Sequence, residues 1–172
     1  MLTKIDLCSM ALLKLGEKPI QSLNEDTPGA RLGRTLIDSV IDTLLAMHPW
    51  HFACRTYDLL RDSNGNFNIP ADVLRIIKTN GKVIGNKIES DCDAICITAV
   101  VRTEPDNFPS YFTSLVATKL AVEFCMPLLS DQTVFRTLVA LYESELQTAK
   151  FIDSTTSVAP QIENFSLIDS RF

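Results

Sequence analysis

Two histidines and one cysteine lie within seven positions of each other, at His48, His51 and Cys54. Imidazole and thiolate groups are the ligands that zinc prefers in proteins, so this cluster is the first candidate for a metal site. Pro49 separates the two histidines and prevents them from sharing one face of a helix. No second pair of ligands completes a tetrahedral set. We therefore expect that the cluster binds no metal and that Trp50 anchors the chain there.

The cysteines are a second possible source of metal or redox chemistry. Their number is odd, and they are scattered through apolar segments, which favours free thiols packed as small apolar groups over a disulfide framework. Cys92 and Cys96 are four positions apart, which is not the spacing of a zinc knuckle. We expect no metal, no cofactor and no disulfide. The five cysteines are Cys8, Cys54, Cys92, Cys96 and Cys125.

Nucleophilic catalysis requires a serine or cysteine beside a histidine that an acidic group orients. The chain has two histidines, and both lie at one junction. The sequence contains no G-x-S-x-G motif, no glycine-rich phosphate loop and no H-E-x-x-H motif. We therefore predict that the protein is not an enzyme and has no catalytic residues. A hydrolase without a recognisable motif stays open as an alternative.

Charge bears on nucleic-acid binding. The net charge is −5 and the isoelectric point is about 5.0, so the chain lacks the broad basic surface that phosphate-backbone binding requires. Arg31 and Arg34 on the second predicted helix are candidates for an interface, but Asp38, four residues after Arg34, is expected to neutralise it. A small DNA-binding regulator with a helix-turn-helix-like N-terminus is the other alternative, although about ten residues join the first two helices where that motif needs three or four.

Composition indicates one ordinary folded domain. The chain has 172 residues, of which 46% are hydrophobic and 22% charged. Its most apolar run, residues 120–129, is interrupted by Glu123 and Pro127, so we expect no membrane span. The first residues lack a long apolar stretch, and we therefore expect no secretory signal and a reducing compartment.

Helical spacing of apolar residues recurs in four segments. Thr3 with Asp6 forms a capping-box start, and Thr27 with Pro28 is typical of a helix N-terminus. Between the second and third helices, β-branched and aromatic residues predict one small antiparallel sheet over about residues 50–102, with a hairpin at Gly85 and its strongest strand over residues 94–102. The predicted helices cover residues 3–15, 27–47, 108–127 and 132–154.

The fold class that follows is α+β and mainly α: a four-helix bundle with a small antiparallel sheet inserted between the second and third helices. Residues 1–154 would form the single domain, and residues 155–172 an extended tail. The tail carries four large apolar side chains that are unfavourable in water at roughly 1.5 to 3 kcal/mol each, so we expect the tail to dock on a partner. These side chains are Phe165, Leu167, Ile168 and Phe172.

Taken together, several segments of the chain resemble the tail tubular protein A, or head-to-tail adaptor, family of short-tailed bacteriophages and their prophages. The resemblance spans nearly the whole chain, and the order and spacing of the segments are more specific than any one of them. The segments are ALLKLGEKPIQSLNEDTPGARL (residues 11–32), HPWHFA (48–53), IPADVLRI (69–76), VIGNKI (83–88), FPSYFTSLVATKLAVEFCMPL (108–128) and FSLIDSRF (165–172).

This resemblance implies a structural protein of the virion, made in the cytoplasm of the bacterial host. Such a protein forms a homo-oligomeric ring, usually of twelve copies, between the portal protein and the tail nozzle protein, and DNA passes through the lumen without specific binding. We expect the tail to bind a neighbouring subunit or the portal, with Phe165 and Phe172 as anchors and Arg171 paired with an acidic group. The predicted interface residues are Phe165, Leu167, Ile168, Arg171, Phe172, Arg31 and Arg34.

Overall fold

The computed structural model describes residues 1–62 and 65–156. In this part of the chain there are four α-helices, two three-stranded antiparallel sheets and two short 3-10 turns, His51–Ala53 and Pro105–Asn107. The helices are α1 (Lys4–Lys14), α2 (Pro28–Met47), α3 (Ser110–Leu129) and α4 (Gln132–Thr156). The strands are β1 (Cys54–Leu60), β2 (Phe67–Asn68), β3 (Val73–Thr79), β4 (Lys82–Ile84), β5 (Lys87–Glu89) and β6 (Ala94–Val101).

The first two helices begin directly after Thr3 and Thr27, the capping residues that the sequence predicted. The Asp6 amide donates to Thr3 Oγ1 at 3.2 Å and the Thr3 amide donates to the Asp6 carboxylate at 2.8 Å, which completes the capping box. The Ala30 amide donates to Thr27 Oγ1 at 3.2 Å, with Pro28 at the first helical position. Local hydrogen bonds therefore set both starting points.

Both boundaries of α3 and the C-terminal boundary of α4 differ by two residues from the prediction. α3 begins at Ser110 and not at residue 108, because Phe108 precedes Pro109 and a residue before proline is disfavoured in helical conformation. It also continues past Pro127, where one backbone hydrogen bond is lost, and ends at Ser130 in a left-handed conformation with φ of 52°. α4 extends to Thr156, so the first two residues assigned to the tail are helical.

The prediction of one sheet is wrong, because the strands form two. The first sheet has the order β1-β6-β3 and the second the order β2-β5-β4. The predicted strand at residues 94–102 is β6, and the predicted hairpin is β4–β5, with Gly85 at φ of +59°. Gly81 joins the two sheets where the backbone passes so close to β5 that a Cβ there would lie 2.4 Å from Ile88 Cγ2.

The core is centred on α3, which contacts α1, α2 and α4. Its buried side chains face in nearly every direction, and this agrees with the prediction that it is the most buried element. Trp50 is fully buried against Phe112, with ring centroids 5.1 Å apart in an edge-to-face arrangement, and its Nε1 donates to the Leu44 carbonyl at 2.8 Å. The buried residues of α3 include Phe112, Leu115, Val116, Leu120, Ala121 and Phe124.

By length and composition alone, α3 is also apolar enough to cross a membrane. In the folded chain, 56% of its most apolar 18-residue window is buried inside the protein. The core helix of a water-soluble protein passes the same test, so the finding is weak evidence for a membrane span. The expectation that the chain has no span stays a prediction.

The Trp50 side chain gives a first test of this packing. Replacing Trp50 with Phe removes the donor to the Leu44 carbonyl and leaves a small void, so we expect the free energy of unfolding to fall by about 1 to 3 kcal/mol. Urea unfolding followed by far-UV circular dichroism measures this change. Leu60→Ala is the control, since the Leu60 side chain is 77% exposed, and should change stability by less than about 0.5 kcal/mol. Equal stability of wild type and Trp50→Phe would contradict the packing argument.

Candidate functional site

A buried carboxylate joins four elements at one end of the helices. Asp153, in the last turn of α4, is 3% exposed. Its oxygens accept the His51 amide at 3.0 and 3.1 Å and the Tyr111 hydroxyl at 2.7 Å, while His48 Nε2 lies 3.7 Å away. The end of α2, the following 3-10 turn, the start of α3 and the end of α4 therefore meet at a single side chain. We call these four residues the Asp153 junction.

The local sequence explains this arrangement. Pro49 follows His48, which adopts an extended conformation and ends α2. The chain then turns at Trp50, whose burial fixes the start of the 3-10 turn. The first amides of such a turn have no partner within it, and the His51 amide finds one in the Asp153 carboxylate.

Burial governs the titration of the groups around Asp153. Desolvation, with the hydrogen bond to Asp153 as a further cause, raises the pKa of Tyr111 well above its usual value. Desolvation lowers the pKa of His48 from 6.5, and the attraction of Asp153 opposes it only in part. The imidazole is therefore mainly neutral near pH 7 and makes no ion pair with Asp153 there. Burial also raises the pKa of Cys54, so its thiol stays protonated.

These properties suit a structural junction better than a reactive centre. The phenol and the thiol are both protonated near neutral pH, and the buried carboxylate is occupied by hydrogen-bond donors. In the described ranges, no three histidine, cysteine, aspartate or glutamate residues form a group that could hold a metal ion. Cys92 and Cys96 are exposed, with Cys96 on β6 opposite Asp58. The absence of a metal and of catalysis stays a prediction.

The polar face of α2 carries the two arginines predicted as interface residues. Arg31 pairs with Asp26, and Arg34 is exposed without an ion-pair partner among residues 1–62 and 65–156. The prediction that Asp38 neutralises Arg34 is wrong. Asp38 pairs with Lys4 at 2.7 Å, because the start of α1 lies beside this part of α2. Arg34 is therefore the more available of the two arginines.

A second polar cluster ties α1 to α3 and α4. Lys14 Nζ donates to Thr118 Oγ1 at 2.7 Å and lies 3.5 Å from the Glu145 carboxylate. The Thr118 hydroxyl donates to Glu145 at 2.6 Å. Sequence reasoning missed this cluster, because its members lie on three helices and form no local motif.

The tail residues predicted as anchors, Phe165 to Phe172, lie outside the described residues. Next to the start of the tail, however, α4 carries an exposed apolar pair that sequence reasoning missed. Phe151 is 68% exposed and Ile152 is 36% exposed. A signal for Phe151 was present, because it lies on the side of the helix opposite the heptad-like stripe through Leu138, Leu146 and Ala149 that packs toward the core. Ile152 follows Ala149 by three positions and continues that spacing, so its exposure could not be predicted in this way.

Comparison with protein-family models finds no match to the chain, and no curated protein matches it. The resemblance to phage adaptors therefore rests on the segments quoted above. The function is argued below from those segments and from the geometry of the Asp153 junction and the exposed end of α4.

The junction can be tested by removing its acceptor. Asp153→Ala leaves the His51 amide and the Tyr111 hydroxyl without their acceptor. We therefore expect the free energy of unfolding to fall by about 2 to 5 kcal/mol. Tyr111→Phe should lower the free energy of unfolding by less, about 1 to 2 kcal/mol. The loss in the double variant should be smaller than the sum of the two single losses. Glu143→Ala removes an exposed acid from the same helix as a control. Wild-type stability in Asp153→Ala would show that the carboxylate does not hold α4.

The lowered pKa of His48 gives a pH dependence of known sign. The pKa of His48 is lower in the folded state than in the unfolded state. Below about pH 6.5 the unfolded chain therefore binds more protons at this histidine than the folded chain does, and the free energy of unfolding falls as pH decreases. We expect wild type to lose more stability between pH 7.5 and pH 5.5 than His48→Gln does. Denaturant unfolding at both pH values measures the difference, and identical losses would mean that His48 is not buried as described.

Proposed function

We propose that this protein is a structural, non-enzymatic component of a phage virion: a head-to-tail adaptor. Copies of the chain would form a ring, usually of twelve, between the portal and the tail nozzle. The genome would leave the capsid through this ring. The protein would be made in the cytoplasm of the bacterial host and would end in the virion.

The observation that carries this proposal is the construction of the end of α4. The Asp153 junction fixes the last turn of this helix, yet Phe151 is left 68% exposed two residues before the buried carboxylate. Contiguous exposed apolar surface is a feature of interaction sites, and Phe151 is followed directly by the exposed Ile152. The tail, with its own large apolar residues, follows within a few positions. This end of the molecule is therefore suited to binding another protein.

The resembling segments support the same conclusion, because several of them build this architecture. Residues 48–53 contain the turn that contacts Asp153, residues 83–88 contain most of the β4–β5 hairpin, and residues 108–128 contain most of α3. The contacts of α1, α2 and α4 with α3 support a four-helix bundle, with the strands between α2 and α3 as an insert. We include that bundle arrangement in the proposal.

The charge of the chain is compatible with a conduit for DNA. A net charge of −5 gives twelve copies a total of −60. An acidic lumen repels phosphate and lets DNA move through without being held. The proposal therefore includes no specific DNA contact and no membrane span.

Two other functions make different predictions in solution. A DNA-binding regulator would shift duplex DNA in a salt-dependent manner. A hydrolase would turn over ester or amide model substrates, and this activity would be lost on substitution of a titratable group. An adaptor shows neither behaviour, and it binds the portal.

Truncation of the tail tests the proposal. A chain that stops after Ser157 retains the Asp153 junction and the helices, so we expect unchanged helical circular dichroism and an unchanged thermal midpoint. It should lose at least tenfold in affinity for the cognate portal, because the apolar anchors Phe165 and Phe172 are gone. Sedimentation with portal rings measures the binding.

The matched control is a full-length chain with Ser170→Ala, which keeps every proposed anchor and should bind the portal as wild type does. If the truncated chain unfolds, the tail belongs to the core and the proposal of a docking tail fails. If the truncated chain binds the portal normally, the interface lies elsewhere.

A further inference from the structure

The two sheets of the insert leave an apolar groove open at one edge. Phe67 and Ile88 of the second sheet pack against Ile95 and Ile97 of the first. Val83 lies opposite Ile88 in the β4–β5 ladder and points to the same face of its sheet, yet Ile88 is fully buried and Val83 is 45% exposed. Within the described chain, no strand pairs with the outer side of β3 or β4. A groove of about 380 Å³ therefore lies between β3 and the β4–β5 hairpin.

The groove is lined mainly by apolar side chains. Three of them come from β3, and the others from β4 and from the segment that precedes β3. Such a lining suits an apolar side chain supplied by a partner. The lining residues are Ile69, Val73, Leu74, Ile76 and Val83.

Positive charges surround this groove. Arg75 lines it, Lys78 lies farther along β3, and Lys87 follows the lining residue Asn86. These three cations have no ion-pair partner among residues 1–62 and 65–156. The acid that directly precedes β3, Asp72, is already used, because its carboxylate accepts the Tyr57 hydroxyl at 2.7 Å. The groove is therefore suited to an acidic partner.

The opposite edge of the insert has the complementary features. Leu60 ends β1, an edge strand of the first sheet, and its side chain is 77% exposed. Asp93 lies beside it, because the amide of the next residue, Arg61, donates to the Asp93 carbonyl at 3.4 Å. Asp91 belongs to the same loop, whose carbonyls bind the Arg61 guanidinium at 2.8 Å. We call Leu60, Asp91 and Asp93 the acidic edge.

We propose that the acidic edge of one copy docks in the groove of a neighbouring copy. Leu60 enters the groove, and Asp91 and Asp93 face the cations around it. A cavity of about 150 Å³ holds a benzene ring, so a groove of about 380 Å³ accommodates a leucine side chain. This inference rests on the proposed function and assigns a contact between two different surfaces, the kind that closes rings.

The sheet prevents the acidic edge from docking on its own chain. β6 separates β1 from β3, so Leu60 lies two strand spacings, about 10 Å, from the strand that bounds the groove. Leu60 also alternates with Leu59, which packs into the cluster between the sheets, so Leu60 points to the outer face. The ladder holds both strands in these positions. Because one chain carries both complementary surfaces, a second copy is the partner that fits.

Sedimentation velocity of two full-length variants tests this contact. Leu60→Glu removes the apolar side chain of the acidic edge, and Val83→Glu places an acid in the groove. We expect wild type to form concentration-dependent multimers and each variant alone to associate at least about tenfold more weakly. An equimolar mixture of the variants should form dimers and nothing larger, because it contains one intact edge and one intact groove.

Leu141→Glu is the matched control, since Leu141 is exposed on α4 and belongs to neither surface. It should associate as wild type does, and circular dichroism checks that every variant is folded. The proposal is overturned if wild type stays monomeric at millimolar concentration, if Leu141→Glu weakens association equally, or if the mixture forms no dimers. The portal sedimentation of the truncated chain reads the tail, so the two proposals can fail independently.

Salt dependence of the wild-type chain tests the assigned charges without any substitution. Because these charges are exposed, raising the ionic strength from about 0.05 to about 0.5 M should screen them and weaken self-association about two- to fivefold. Sedimentation equilibrium at both ionic strengths measures this change. Equally strong association at both would overturn the assignment of Asp91 and Asp93 to the cations of the groove.

Discussion

The hydrogen bonds of Asp153 determine how the rest of the molecule is arranged. Its carboxylate accepts the His51 amide and the Tyr111 hydroxyl, and thereby links residues 102 and 42 positions away along the chain. A buried carboxylate is stable only while such donors are present, because an unpaired charge in the interior is very unfavourable. The last described turn of α4 is consequently held in one position by a single side chain.

The core makes this constraint possible. α3 lies among the other three helices, and Trp50 and Phe112 pack edge to face beside the junction, which excludes water from the Asp153 carboxylate. The Lys14, Thr118 and Glu145 cluster fixes α4 to α1 and α3 farther along the same helix. Two separate polar contacts on one helix therefore define both its position and its rotation, and Phe151 and Ile152 face outward as a result.

Local signals in the sequence predicted much of the fold. The caps at Thr3 and Thr27 and the turn at Gly85 depend on neighbours a few residues away, so the starts of α1 and α2 and the β4–β5 hairpin could be predicted. The division into two sheets could not, because it depends on which strands pair, and β6 pairs with β1 and β3, which lie well before it in the chain. The role of Asp153 was also missed, because its partners are distant in the sequence. Asp38 was assigned to Arg34, which is near it in the sequence, whereas its partner in the structure is Lys4 on another helix.

The central claim is that copies of this chain form a ring on a portal through the end that Asp153 fixes. Electron microscopy of the full-length protein mixed with its cognate portal tests that claim most directly. The account predicts a closed ring of copies against one face of the portal, with the end of each α4 at a contact between molecules. Bare portals beside unassembled protein, or a ring whose contacts leave every α4 end in solvent, would contradict it.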